Sequence, residues 1–189
     1  YFASRVPEIA ALKGATRKRA IAALEAANPE IFIQFQMDKR IFGAMNEFAR
    51  ASGRFDLTAR GKLNTYGLFA EHFLSLTHVR GSAGVIVPTG IATEATTAPF
   101  YSHLVSTKRI GRMVDFENRG HLFVGLHTKT KFCLLTISAK VQQAEFSFFL
   151  TDPSQLGDAR RRFTLISDQI EAINPNTKTA SIFRAERDA

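Results

Sequence analysis

The sequence holds one cysteine, no tryptophan and no apolar run that approaches the ~20 residues of a membrane span. A lone thiol cannot close an internal disulfide, so the fold must rest on buried apolar surface, and Cys133 in "FCLLTI" is expected as a buried side chain. The opening residues, "YFASRVPEIA", lack the organisation of a signal peptide. Internal repeats and low-complexity segments are missing too. Five histidines, His72, His78, His103, His121 and His127, show no metal-ligand spacing with Cys or carboxylates, so no metal site is expected. Together these absences set aside disulfide scaffolds, membrane spans and zinc modules, and the expected location is the cytoplasm.

What is present is a chain of 189 residues, 45% hydrophobic, long enough for one sizeable core or for one core with an appendage. Phenylalanine dominates the aromatics, 17 against three tyrosines, which assigns most of them to the interior. Lys and Arg exceed Asp and Glu by 25 to 17, a net charge of +8. That excess favours a polyanionic partner; a solvated basic surface is the alternative. The first residue is Tyr and neither end has the composition of a tail, so the expectation is a piece of a longer protein.

Along the chain, residues 15–51 have helical periodicity, with Ile21, Leu24, Ile31, Phe35, Ile41, Met45 and Phe48 compatible with one face. Asn28 followed by Pro29 predicts a break into two helices. Arg17, Lys18 and Arg19 read as a solvated helix face or as a phosphate-binding stripe. An amphipathic helix over 64–77, the turn "HVRGSAG" and the buried-strand run "AGVIVP" form an α-turn-β unit. Thr96 or Thr97 can cap a further helix with Pro99 in its first turn. "IGRMVDFEN", "KFCLLTIS" and "AEFSFFLT" read as three more strands, followed by a short Ser-capped helix and a final extended segment. Helix alternating with strand and then strands in succession predict an α/β sheet whose last strands pair antiparallel.

In open α/β sheets ligands gather beyond the carboxyl ends of strands, which makes the loop after Val87, "PTGIAT", a candidate site. Asp115 and Glu117 in "DFEN" share a strand face, either as paired carboxylates or as hydrogen-bonding groups at a strand end. As an ordered series, "GKLNTYGLFAEHFLSL", "GSAGVIVPTGIAT", "VDFEN" and "HLFVGLHTKTKFCLLTI" resemble the second half of the catalytic domain of adenine-specific DNA methyltransferases. The resemblance is to the large enzymes of type IIG restriction-modification and related phage-defence systems, and it covers essentially the whole chain.

That resemblance implies a partial Rossmann-like sheet that uses S-adenosylmethionine, with an N-terminal helical insertion. It implies a helical segment over 1–62, the methyltransferase half over 63–151, and a connection towards a target-recognition region over 152–189. It implies that Phe69, in "NTYGLF", lines the pocket for the cofactor's adenine; the plain alternative is a core Phe. It implies that Phe123, in "HLFVGLHTKTKF", contacts a target adenine flipped out of double-stranded DNA. Stacking on an aromatic ring offsets about 1–3 kcal/mol of the cost of extruding a base. Lys129 and Lys131 could then hold neighbouring phosphates, or simply solvate the turn before a strand. Thr89 and Thr93, in the loop after Val87, are expected on the rim that faces DNA.

The glycine-rich cofactor loop and the Asn/Asp-Pro-Pro-aromatic motif of such enzymes do not occur in this sequence; "NPEI" and "NPNT" lack the second Pro. By the family's motif order both lie upstream of Tyr1, in the remainder of the same polypeptide. The fragment alone is then expected to be inactive, and prone to self-association through the sheet edge left open. Two other readings remain: a non-catalytic basic nucleic-acid-binding module, and a structural α/β domain.

Overall fold

A computed structural model describes residues 1–176 and 179–183. The chain forms two compact units, Tyr1–Ala51 and Ser52–Ala189.

The first unit is helical: α1 (Phe2–Arg5), α2 (Pro7–Ala11), α3 (Gly14–Ala27) and α4 (Pro29–Ala51). The break falls where Asn-Pro predicts it. Asn28 closes α3, its Oδ1 accepts from the Ile31 N–H at 3.3 Å, and Pro29 opens α4 with a ring already set for helical φ. Phe2, Val6, Ile9 and Leu24 form a small core, with Ile21, Ile31 and Phe35 half-buried against it. The single apolar face expected across both helices is split. Ile31 and Phe35 face this core, whereas Ile41, Met45 and Phe48 join Ile33, Met37 and Phe42 as exposed side chains. A helix of 23 residues outruns the three short helices packed on it.

The second unit begins at Ser52. The buried Glu71 carboxylate accepts from the backbone N–H groups of Leu57 and Thr58 and from the Thr58 hydroxyl, at 3.1, 2.9 and 2.6 Å, and so ties that segment to a helix. The elements that follow are α5 (Thr65–Leu76), β1 (Ala83–Pro88), α6 (Gly90–Thr93), α7 (Ala98–Ser106), β2 (Ile110–Glu117), β3 (Lys131–Ile137), β4 (Ala144–Leu150), β5 (Phe163–Leu165) and α8 (Ser167–Ile173). Ser167 is the first residue of α8 rather than its cap, and its hydroxyl donates to the Val105 carbonyl. The remainder of the expected extended tail lies largely outside the described residues.

The strands form one mixed sheet in the order β1-β3-β2-β4-β5. β3 runs antiparallel to both β1 and β2, which are therefore parallel to each other, and β4 is parallel to β2. Antiparallel pairing of the last strands holds for β2 with β3 and for β4 with β5, but β3 and β4, successive in sequence, are not neighbours. β5, a strand of three residues inside segment 152–189, pairs with β4 and joins that segment to the sheet. On one face α5, α7 and α8 cover the main core, including Leu74, Phe100, Leu104, Met113, Cys133, Leu135, Phe146 and Ile170. The other face carries a smaller cluster of Val114, Phe116, Phe132 and Leu150. Among the described residues no strand pairs with the outer edge of β1, where Ile86 is exposed.

Candidate nucleic-acid interface at the carboxyl end of the sheet

Because β1, β2 and β4 are parallel, their carboxyl ends lie at one end of the sheet, with the start of β3 between the first two. Pro88 of β1 and Phe116 of β2 both pair with Phe132, and Phe116 also pairs with Leu150. Three connections therefore gather there: residues 88–93, the long β2–β3 loop of 118–130, and the segment that leaves β4.

The loop after β1 is anchored from beneath. Thr89 is 3% exposed and donates its hydroxyl to Asp115 Oδ1 at 2.5 Å. Its hydroxyl is thus committed to the interior and is not offered to solvent. Thr93 is half-buried, and its hydroxyl lies 3.3 Å from the Thr89 carbonyl. Of the two cap candidates for α7, Thr97 precedes the helix, yet its hydroxyl donates backwards to the Gly90 and Glu94 carbonyls, bracing α6.

Asp115 is fully buried in mid-sheet. Its other oxygen accepts from the Phe149 N–H at 3.3 Å, where β4 carries one extra residue between the pairs Val114–Ser147 and Phe116–Leu150. Phe149 has φ +59°, so its N–H has left the ladder direction and the carboxylate satisfies it. Burial raises the Asp115 carboxyl above the ordinary carboxylate range, with the Thr89 and Phe149 bonds and Lys131 acting the other way. Cys133, in the same cross-strand row, is buried as expected, and its thiol is pushed up to about 12, chiefly by burial. Glu117 pairs instead with Arg119 at 2.8 Å. The two "DFEN" carboxylates thus have different partners, Asp115 with Thr89 and the Phe149 N–H, Glu117 with Arg119.

Phe123 sits on the β2–β3 loop, partly exposed, with its ring edge-on to Phe132 at 4.9 Å; Phe132 in turn stacks on Phe116 at 5.4 Å. The expected base-contacting aromatic is therefore rooted in the second core and open on its outer side. Lys129 is exposed, with its backbone N–H on His127 Nδ1 at 3.1 Å. The Lys131 ammonium lies 5.1 Å from the Phe149 ring centroid.

Phe69 belongs to a different place. It is 58% exposed on α5, above a cleft of about 400 Å³ between α5 and the outer flank of β1, lined by Thr65, Tyr66, Phe73 and Gly84–Val87. The Phe69 and Phe73 rings lie 6.3 Å apart. The Tyr66 hydroxyl reaches Glu94 at 3.5 Å, and burial followed by the Glu94 charge raises its pKa. The volume and the open aromatic wall suit one flat heterocycle with a polar rim. Sequence reading missed Tyr66 and Glu94, which are 28 residues apart and meet only through the β1 crossover. It also missed Asn118, although an Asn at a strand end before a Gly-containing loop is a turn signal.

Among the described residues no helix is long and apolar enough to cross a membrane, and no group of three or more His, Cys, Asp and Glu side chains could hold a metal ion. No family model matches the sequence, and no curated protein matches it. Solved structures do match. One is the type I restriction-modification system methyltransferase subunit from Streptococcus thermophilus, with a TM-score of 0.52 and 11% identity over 71% of this chain and 34% of that one. Another is the type IIG restriction endonuclease BpuSI, with a TM-score of 0.50 and 13% identity over 70% of this chain and 17% of that one. At these identities the likeness is one of fold: a mixed α/β fold shared with restriction-modification proteins, of which this chain spans about a third or less.

Proposed function

We propose that this chain is the carboxyl-terminal half of a Rossmann-like methyltransferase domain from an enzyme that methylates N6 of adenine in DNA, within a restriction-modification or phage-defence system. The observation that carries the reading is the order β1-β3-β2, with one antiparallel strand between two parallel ones and their loops gathered at one end, in a fold shared with two restriction-modification proteins. S-adenosylmethionine, when bound, supplies the methyl group. Phe69 and Phe73 offer its adenine an aromatic wall, and Tyr66 with Glu94 gives that wall a polar rim. The other contacts such a cofactor needs belong to the glycine-rich loop that this sequence does not contain.

At the carboxyl end of the sheet, Phe123 would stack on the extruded adenine, with Lys129 and Lys131 on the flanking phosphates and Thr93 on the rim. Thr89 would contribute by fixing the loop through Asp115. Holding the reacting groups in line and stabilising charge at the amino group are the terms this half of the domain would assist. Partners on this reading are double-stranded DNA and the rest of the polypeptide, in the cytoplasm.

The decisive experiment is transfer of labelled methyl from S-adenosylmethionine to DNA by the full-length protein, with product nucleosides separated, alongside Phe123→Ala. Label in N6-methyladenine that drops by roughly 10-fold or more in the variant supports both enzyme class and base contact. Tight DNA binding without transfer to any of a broad set of sequences would instead establish a basic nucleic-acid-binding module.

A further inference from the structure

The β2–β3 loop is more organised than a phosphate-facing connection requires. Asn118 is fully buried at its root and uses its whole amide on the turn 123–126. Its carbonyl accepts from the Phe123 N–H at 2.9 Å, and its NH₂ donates to the Phe123 and Leu126 carbonyls at 3.0 and 3.1 Å. The turn closes with the Leu126 N–H 3.4 Å from the Phe123 carbonyl, and Gly125, at its third position, has φ +87° as a type II turn demands. The root of the loop is braced too. A Cβ on Gly120 would lie 2.5 Å from the Thr151 carbonyl oxygen, so only glycine lets this backbone approach the end of β4 so closely.

What this scaffold presents is apolar. Val124, at the apex, is 95% exposed, and Leu122 and Leu126 beside it are exposed as well. Tips of connecting loops are ordinarily polar, so a branched aliphatic side chain on a locked apex has no folding role to explain it. His121, His127 and Lys129 of the same loop are exposed too, on a chain of net charge +8. An apolar point on a basic chain, with the exposed Lys129 in the same loop, suits a duplex, where phosphates flank a stack of apolar base faces.

We propose that the turn 123–126 is a preformed wedge for duplex DNA: Val124 enters a base step beside the displaced base, and Asn118 is the positioning residue that keeps the turn rigid. This rests on the DNA reading above but not on methyl transfer. Insertion unstacks a step and untwists the duplex, so it changes topology whatever the sequence bound.

The test is relaxation of a closed-circular plasmid by topoisomerase I in the presence of the full-length protein, with bound protein quantified by filter retention. The expected result is a lowered linking number, with the change per bound molecule reduced at least about twofold by Val124→Ser and retained by Val124→Leu. Asn118→Asp, which keeps the shape but sets an acceptor against two carbonyls, should follow Val124→Ser with Val124 intact, its folding verified by thermal melting. An equal change per bound molecule in wild type and Val124→Ser overturns the wedge and leaves DNA binding standing. Absence of DNA binding by the wild type overturns the DNA reading itself and the wedge with it.

Discussion

The helical unit is proportionally richer in apolar residues than the sheet unit, yet it buries far fewer of them. In residues 1–51 only Phe2, Val6, Ile9, Leu24 and Ala49 are buried hydrophobics, while α4 leaves Ile33, Met37, Ile41, Phe42, Met45 and Phe48 exposed. In the second unit the sheet takes helices on one face and a second cluster on the other, so residues of both alternations along β2 and β3 are buried. A sheet offers two faces to cover; a long helix beside short ones has a stripe that nothing in its own unit can reach. Apolar content therefore does not measure stability here. Its arrangement does.

The largest test of that contrast is a matched truncation. Phe146→Ala, in the main core, should cost about 3–5 kcal/mol in urea unfolding of the sheet unit, whereas Phe42→Ala on the exposed stripe should stay within about 0.5 kcal/mol. Equal losses would mean that the α4 stripe is covered in solution.

Asp115 gives the next effect. Asp115→Ala strands the Phe149 N–H and the Thr89 hydroxyl and should cost about 2–4 kcal/mol. Asp115→Asn can still accept from Phe149 while the Thr89 hydroxyl turns to accept, and should be close to neutral. Because burial raises the folded carboxyl's pKa, the folded state takes up its proton more readily than the unfolded chain. This residue's contribution then becomes less favourable as pH rises from the ordinary carboxylate range through the raised value. Melting curves of wild type against Asp115→Asn should accordingly shift in favour of wild type as pH is lowered through that window. A shift in the opposite direction would show that the hydrogen bonds outweigh burial.

The smallest effect belongs to the thin helical unit. Asn28→Ala removes the acceptor for the Ile31 N–H and should cost about 1 kcal/mol, read as lost helical ellipticity at intermediate temperature. A loss confined to residues 1–51, measured by hydrogen exchange, would mark the two units as separately stable.

The sequence alone determined the local pieces, because their causes are local. Asn28-Pro29 breaks a helix through a cap and a fixed φ; "AGVIVP", "KFCLLTI" and "AEFSFFL" are strands because short runs dominated by apolar residues and β-formers are bounded by turn signals; Cys133 is buried between Phe132 and Leu134 in such a run. Tertiary structure alone decided which pieces meet. β3 pairs with β1 and β2 and not with its sequence neighbour β4, a choice that depends on covering two faces at once and not on any strand's composition. The same holds for side chains. Whether Thr89 faces solvent or Asp115 depends on a strand 26 residues away, and whether Asn118 caps its own turn or locks another depends on how the loop folds back. Periodicity reports which residues seek burial. Only packing reports against what, and so only packing separates an interior threonine from a rim threonine, or an exposed apolar apex from a core residue.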